Sequence, residues 1–63
     1  MVIEVGDLVM FRFTFELSDG KFISRGDIGL VKVNDVVTIH VLHINSGEIF
    51  ETKRDSIKKL EIQ

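Results

Sequence analysis

His40 and His43 are the side chains of this chain best suited to acid–base or metal chemistry. Their spacing of three residues puts them on opposite faces of an extended strand, so they cannot hold one ion between them. A third ligand would have to come from scattered acids, and a half-buried histidine at the rim of the fold outweighs a ligand by roughly ten to one. Asp19, Asp27, Asp35 and Asp55 all fall in predicted turns, where aspartate is favoured for bonding its own backbone. General acid–base work needs groups converging in a pocket, for which a chain of 63 residues has little room. The residues therefore predict no metal site, no cofactor, no small-molecule substrate and no enzyme. Arg25-Gly26-Asp27 spells an adhesion tripeptide, but a turn before a strand accounts for all three residues.

The basic residues offer a different chemistry. Lys53, Arg54, Lys58 and Lys59 cluster near the C-terminus, and Lys21 and Arg25 lie in an early loop. Brought together, these six would contact phosphates and give salt-sensitive nucleic-acid binding without base readout. Against this, Glu48, Glu51, Asp55 and Glu61 are interleaved with them, and no aromatic residue is expected at the surface for base stacking. An ordinary mixed-charge surface is favoured by roughly three to one.

Composition bounds the rest. Eight Lys and Arg against ten Asp and Glu give a net charge of −2, so nothing attracts the whole molecule to nucleic acid or an anionic membrane. Cysteine is absent, which removes disulfides, thiolate zinc sites and thiol nucleophiles and makes a reducing compartment, the cytoplasm, the expected setting. Proline, Trp and Tyr are also absent. No apolar run approaches the roughly 18 residues needed to cross a bilayer, and Met1-Val2-Ile3-Glu4 lacks the form of a signal peptide. With 44% apolar residues the chain folds, as one domain over residues 1–63, around a thin core.

The dominant hydrophobic period is two. Val9, Phe11, Phe13, Phe15 and Leu17 form an unbroken odd row, which predicts one long strand with its three Phe at the centre of the core. Ser18 to Lys21 is a turn, and Phe22-Ile23 is either a short strand or a loop anchor. Ile28–Val33 is a second strand, with Val31 and Val33 on one side and an interior Gly29 that marks a bulge or a close backbone approach. Asn34-Asp35 is placed as a two-residue hairpin turn into Val36–Ile44, whose core row is Val37, Ile39 and Val41. Asn45-Ser46-Gly47 turns into Glu48–Thr52, where Ile49 or Phe50 points inward. Arg54 to Ile57 reads as one 3₁₀ turn, and Lys58–Ile62 as a last strand with Leu60 and Ile62 on one face. Gly6-Asp7 and Gly26-Asp27 echo each other but are too short to make a repeat. Five short strands in so short a chain predict a small all-β barrel, since closure covers the strand edges.

If the odd rows face inward, the outer side presents Leu8, Met10, Leu30, His40 and Leu42, several of them side by side on adjacent strands. Exposed apolar patches mark partner surfaces. The equal alternative is that the segment Met1–Val5 covers part of this row.

Val5-Gly6-Asp7-Leu8-Val9, followed after a loop by Arg25-Gly26-Asp27-Ile28-Gly29-Leu30-Val31, resembles the opening of KOW-type and other SH3-like barrels. The later Val37-x-Ile39-x-Val41, the Asn45-Ser46-Gly47 turn and the Ser56-Ile57-Lys58-Lys59-Leu60 ending fit the same pattern. The resemblance implies a five-stranded SH3-like barrel with a 3₁₀ turn before its last strand. Proteins of this type include ribosomal and transcription-elongation KOW domains, small subunits of photosynthetic complexes and short phage proteins, which bind something larger and rarely catalyse. The Tyr and Trp groove of proline-rich peptide recognition is missing. The expected function is a non-catalytic interaction or assembly module, pairing with itself or a larger protein through Met10, Leu30, His40 and Leu42. The alternative is a KOW-like RNA-binding domain using Lys21, Arg25, Lys53, Arg54, Lys58 and Lys59.

Overall fold

The computed structural model describes residues 2–17 and 20–61. Seven short strands are found there: β1 (Leu8–Phe11), β2 (Phe15–Glu16), β3 (Phe22–Ile23), β4 (Ile28–Asn34), β5 (Ile39–His43), β6 (Ile49–Thr52) and β7 (Ile57–Lys59). A 3₁₀ turn, Arg54–Ser56, stands immediately before β7, where the sequence predicts it. Five strands form one antiparallel sheet in the order β6-β5-β4-β1-β7, and β2 pairs with β3 in a separate ribbon. The fold is all-β, with no α-helix among the described residues. No ladder joins β6 to β7 among those residues, so the sheet is described as open.

The predicted long strand from Val9 to Leu17 is two strands separated by a bend. At Phe11 the backbone carbonyl accepts the N–H of Gly26, and the next N–H, Arg12, turns away to the carbonyl of Ser56. The chain therefore leaves the β4 ladder at this point. Phe11 is 1% exposed in the core, whereas Phe13, two residues on, is 52% exposed. Phe15 returns to pack against the core from the ribbon, with its ring edge-on to both Phe11 and Phe13. An unbroken period of two thus counted Phe13 as core although the backbone turns it out.

Three further placements differ from the sequence reading. Asn34 is still in the ladder opposite Ile39, and the turn closes from Asp35 N–H to the Thr38 carbonyl, which puts Val36 and Val37 at the tip, 86% and 71% exposed. Val37 is therefore not core. The register shifts between Val31 and Val33, so Val33 joins the outer face opposite His40 while Val31 stays buried opposite Val41. Finally, Ile57 is the first residue of β7 and a core residue, not part of the 3₁₀ turn. Leu60 is half-buried just beyond β7, and Ile62 lies outside the described residues, as do Ser18 and Asp19. Of the pair Ile49 and Phe50, Phe50 packs on the core. Ile23 is a core residue on the short strand β3.

Of the two roles predicted for Gly29, a bulge or a close approach, the structure shows the close approach. A Cβ there would run into the Val41 side chain and stand 3.1 Å from the Leu42 carbonyl oxygen and 3.2 Å from the Phe11 ring. The β-branched neighbour on β5 fills the space that a side chain on β4 would need.

The two Gly-Asp pairs build the same turn twice. Asp7 N–H donates to the Glu4 carbonyl and its carboxylate takes back the Glu4 N–H at 2.8 Å. Asp27 does the same with Ser24, its carboxylate accepting at 3.0 Å. Gly6 and Gly26 occupy the positive-φ position at +93° and +94°, which glycine adopts without a Cβ penalty. Gly6 N–H then donates to the Val31 carbonyl and Gly26 N–H to the Phe11 carbonyl, both at 2.8 Å. Strands β1 and β4, with the turns that start them, are thus related by an approximate two-fold through the Val9–Gly29 pair. The echo is a true structural repeat of a turn and strand.

Candidate functional site

The outer face of the sheet carries the first candidate. Leu8 pairs with Leu30, Leu30 with Leu42 and Leu42 with Ile49, so one aliphatic row runs across β1, β4, β5 and β6. Met10 opposite Ile28 begins a second row beside it, continued by Lys58 on β7. Cross-strand neighbours on one face lie about 5 Å apart, so these side chains form one surface. The predicted residues Met10, Leu30 and Leu42 are half-buried among their neighbours, and Ile49 at the edge is exposed. His40 sits in the next row between Val33 and Glu51, with Nε2 3.8 Å from the Glu51 carboxylate. The segment Val2–Val5 does not take up this face: Ile3 packs against the core and Val2 and Val5 are exposed.

The six predicted basic residues do not form one cluster. Lys21 pairs with Glu48 at 3.5 Å, and Lys59 with Asp7 at 3.4 Å. Arg54 is fixed by its neighbours: its guanidinium donates to the Val36 carbonyl and Asn34 Oδ1, both at 2.7 Å, and to the Asp35 carbonyl. Arg54, Lys58 and Lys59 line a groove with Arg12, floored by Val2, Ile3 and Ile57. Arg25 lines an adjoining hollow with Phe13 and Thr14, and Arg12 borders both. Lys53 lines neither. Arg12 and Phe13 are the members that the sequence reading missed. The guanidinium of Arg12 lies 5.8 Å from the Phe13 ring centre, within cation–π range, and its Nη1 donates to the Asp55 carbonyl. The expectation that no aromatic residue reaches the surface is overturned by Phe13 and by Phe22, both more than half exposed.

His43 is the largest departure among the chemistry-bearing residues. It is 3% exposed, not half-buried at a rim, because it continues the inward row of Ile39 and Val41 to the end of β5. Its ring stands edge-on to Phe11 and Phe50. Nε2 meets Asp27 Oδ2 and Nδ1 meets Ser46 Oγ, each at 2.8 Å. The hydrogen bond from His43, seconded by the Ser24 N–H, holds the Asp27 carboxyl below the ordinary carboxylate range. With Asp27 ionised, Nε2 carries the proton, and a neutral ring then accepts the Ser46 hydroxyl proton at Nδ1. This tautomer gives both ring nitrogens of His43 a partner.

A Ser–His–Asp chain raises the question of nucleophilic catalysis. The adjacent N–H groups that could stabilise an oxyanion are committed: Gly47 donates to the His43 carbonyl, and Glu48 to Ser46 Oγ and so into the trio itself. The arrangement is a cross-link between the turn before β4 and the turn after β5. Among the described residues no group of three or more His, Cys, Asp or Glu could hold a metal ion. Likewise, no helix there is long and apolar enough to cross a membrane. Comparison of the chain with protein-family models, curated proteins and solved structures gives no match.

Proposed function

We propose that this chain is a non-catalytic assembly module on an SH3-like barrel, and that it works by packing its outer sheet face against a second copy of itself. Support for the SH3-like reading comes from the strand order, the β2–β3 excursion between β1 and β4, and the 3₁₀ turn directly before β7. The observation that carries the function is the aliphatic row Leu8–Leu30–Leu42–Ile49 with Met10 and Ile28 beside it. An all-aliphatic row running across the strands can meet its own copy in reverse order under a two-fold, Leu8 of one copy against Ile49 of the other and Leu30 against Leu42. Two such faces can stack as sheets do, about 10 Å apart, without either backbone moving. The absence of cysteine supports a cytoplasmic setting.

Sedimentation velocity across a concentration series tests this. The expected result is reversible dimerisation that Leu42→Glu abolishes while the far-ultraviolet circular dichroism stays unchanged. A wild-type chain that remains monomeric at about 100 µM, where even weak specific contacts register, overturns it.

A further inference from the structure

We propose that the groove bordered by Arg12 binds single-stranded nucleic acid, with Phe13 as a base-stacking platform. The site meets the apolar sheet face only at Lys58, beside Met10, and does not rest on the assembly reading.

Charge is sorted on this molecule although its total is −2. The two adjoining hollows are lined by Arg12, Arg25, Arg54, Lys58 and Lys59 against a single acid, Asp55. Only Lys59 of these five has a carboxylate partner among the described residues. Four cations therefore face solvent without compensation, along a groove whose larger part holds about 960 Å³, enough for a length of chain and not just one group. Three of the four are arginines, whose planar fork matches phosphate. Arg54 is held by three acceptors on the β4–β5 hairpin, which spend three of its five N–H groups and leave two to donate. Its position is thus set before any ligand arrives.

Phe13 separates nucleic acid from an acidic peptide as the occupant. A solvent-facing Phe ring beside two arginines offers a base a surface to stack on, since every base has a π-face whatever the sequence, whereas the carboxylates of an acidic peptide gain nothing from the ring's negative face. Arg12 against the ring adds a planar cation at the same place. The apolar floor of Val2, Ile3 and Ile57 suits unstacked bases better than a duplex, which presents only its phosphates.

The test uses the full chain and fluorescently labelled RNA and DNA oligonucleotides of about twelve nucleotides, single-stranded and duplex, by anisotropy across a salt series. Four phosphate contacts predict a log–log salt slope of roughly −3 for the single strand. Arg12→Gln is expected to weaken binding and to make the slope shallower by about 0.7. Phe13→Ala is expected to cost about tenfold in affinity with the slope unchanged, and Phe13→Tyr to restore it. Asp55→Asn is expected to tighten binding several-fold. Leu42→Glu, on β5 and three strands away from β7, leaves binding intact, so loss of assembly and loss of this site are told apart. The proposal is overturned by absence of binding at about 20 mM salt. Equal affinity for duplex, or full displacement by polyglutamate with Phe13→Ala without effect, overturns it too, since the groove would then be a site for acidic chains in general.

Discussion

Asp27 and His43, sixteen residues apart in sequence, meet at 2.8 Å where the turn into β4 passes the end of β5. The contact ties a charged turn to a ring that is part of the core. Truncating Asp27 leaves the His43 N–H buried without a partner, which costs about 1–3 kcal/mol. For a domain of this size each kcal/mol lowers Tm by about 4–8 °C. Asp27→Ala is therefore expected to lower Tm by roughly 5–20 °C. Adding His43→Leu removes the orphaned donor while keeping an apolar side chain against Phe11 and Phe50, so the double variant should be more stable than the sum of the two singles. Strict additivity in thermal melts would show that the two residues do not act together.

Acid should attack the two repeated turns. The Glu4 N–H holds the Asp7 carboxyl below its ordinary range, with Lys59 adding to the effect, and His43 with Ser24 does so for Asp27. A carboxylate depressed in the folded state binds its proton more readily in the unfolded chain. Its stabilising contribution is complete above the unfolded value of about 4 and is lost as pH falls below that. Urea midpoints are expected to hold level at mildly acidic pH and to drop below about pH 4, with a shallower drop in Asp7→Asn/Asp27→Asn. Equal slopes for both proteins would remove the two turns as the origin of acid sensitivity.

Gly29→Ala is expected to destabilise by overpacking. Its methyl group would enter the Val41 side chain and crowd the Phe11 ring, and additions to a filled core typically cost about 1–3 kcal/mol. Val41→Ala opens that space at its own expense. In the Val41→Ala background the alanine at 29 should cost less than in the wild type, a sign that denaturant melts of the four proteins can read directly.

Arg54 acts at the hairpin tip. Without its guanidinium, the carbonyls of Asp35 and Val36 revert to water and Asn34 keeps only its donation to the Ile3 carbonyl, 2.7 Å away. Arg54→Lys supplies one point charge in place of a fork. Faster hydrogen exchange at residues 34–38, with protection in β1 and the Val31 end of β4 unchanged, is the expected outcome. Uniform loss of protection would mean that Arg54 supports the whole sheet.

The sequence carried most of the sheet and little of the site. Most strand positions, the 3₁₀ turn and a special role for Gly29 were legible, because alternation and turn chemistry are local signals. The outer row was legible in part: Leu30 pairs with Leu42, as alternation implied, but Met10 faces Ile28 and the partner of Leu30 on β1 is Leu8. What failed was wherever the backbone changes face without changing composition. The bulge after Val31 turns Val33 outward, and the turn two residues late exposes Val37, though both are β-branched and look like core. The Arg12–Phe13 pair was hidden for the same reason, since a bend after Phe11 leaves no mark in an alternating row. His43 had a visible signal, its odd position after Ile39 and Val41, but the sequence reading weighed only a rim histidine against a metal ligand. Its partner Asp27 could not be read at all, because it reaches His43 from the turn before another strand, sixteen residues away.

The split of the phenylalanine row gives the sharpest check on that bend. Phe11, Phe13 and Phe15 alternate perfectly in sequence, and as one strand face they would all tolerate truncation equally badly. In the fold, Phe11 is fully enclosed and touches His43 and Phe15, whereas Phe13 has half its surface in water. Phe11→Ala should cost about 3–5 kcal/mol, a large share of what a chain of this length can muster, and leave the protein largely unfolded at room temperature. Phe15→Ala is expected to fall between, because it packs on the core from the rim of the ribbon. Phe13→Ala should cost well under 1 kcal/mol, as surface substitutions do. Equal losses at Phe11 and Phe13 in denaturant melts would mean that β1 continues past Arg12 in solution, and the exposed ring that the nucleic-acid groove requires would go with it.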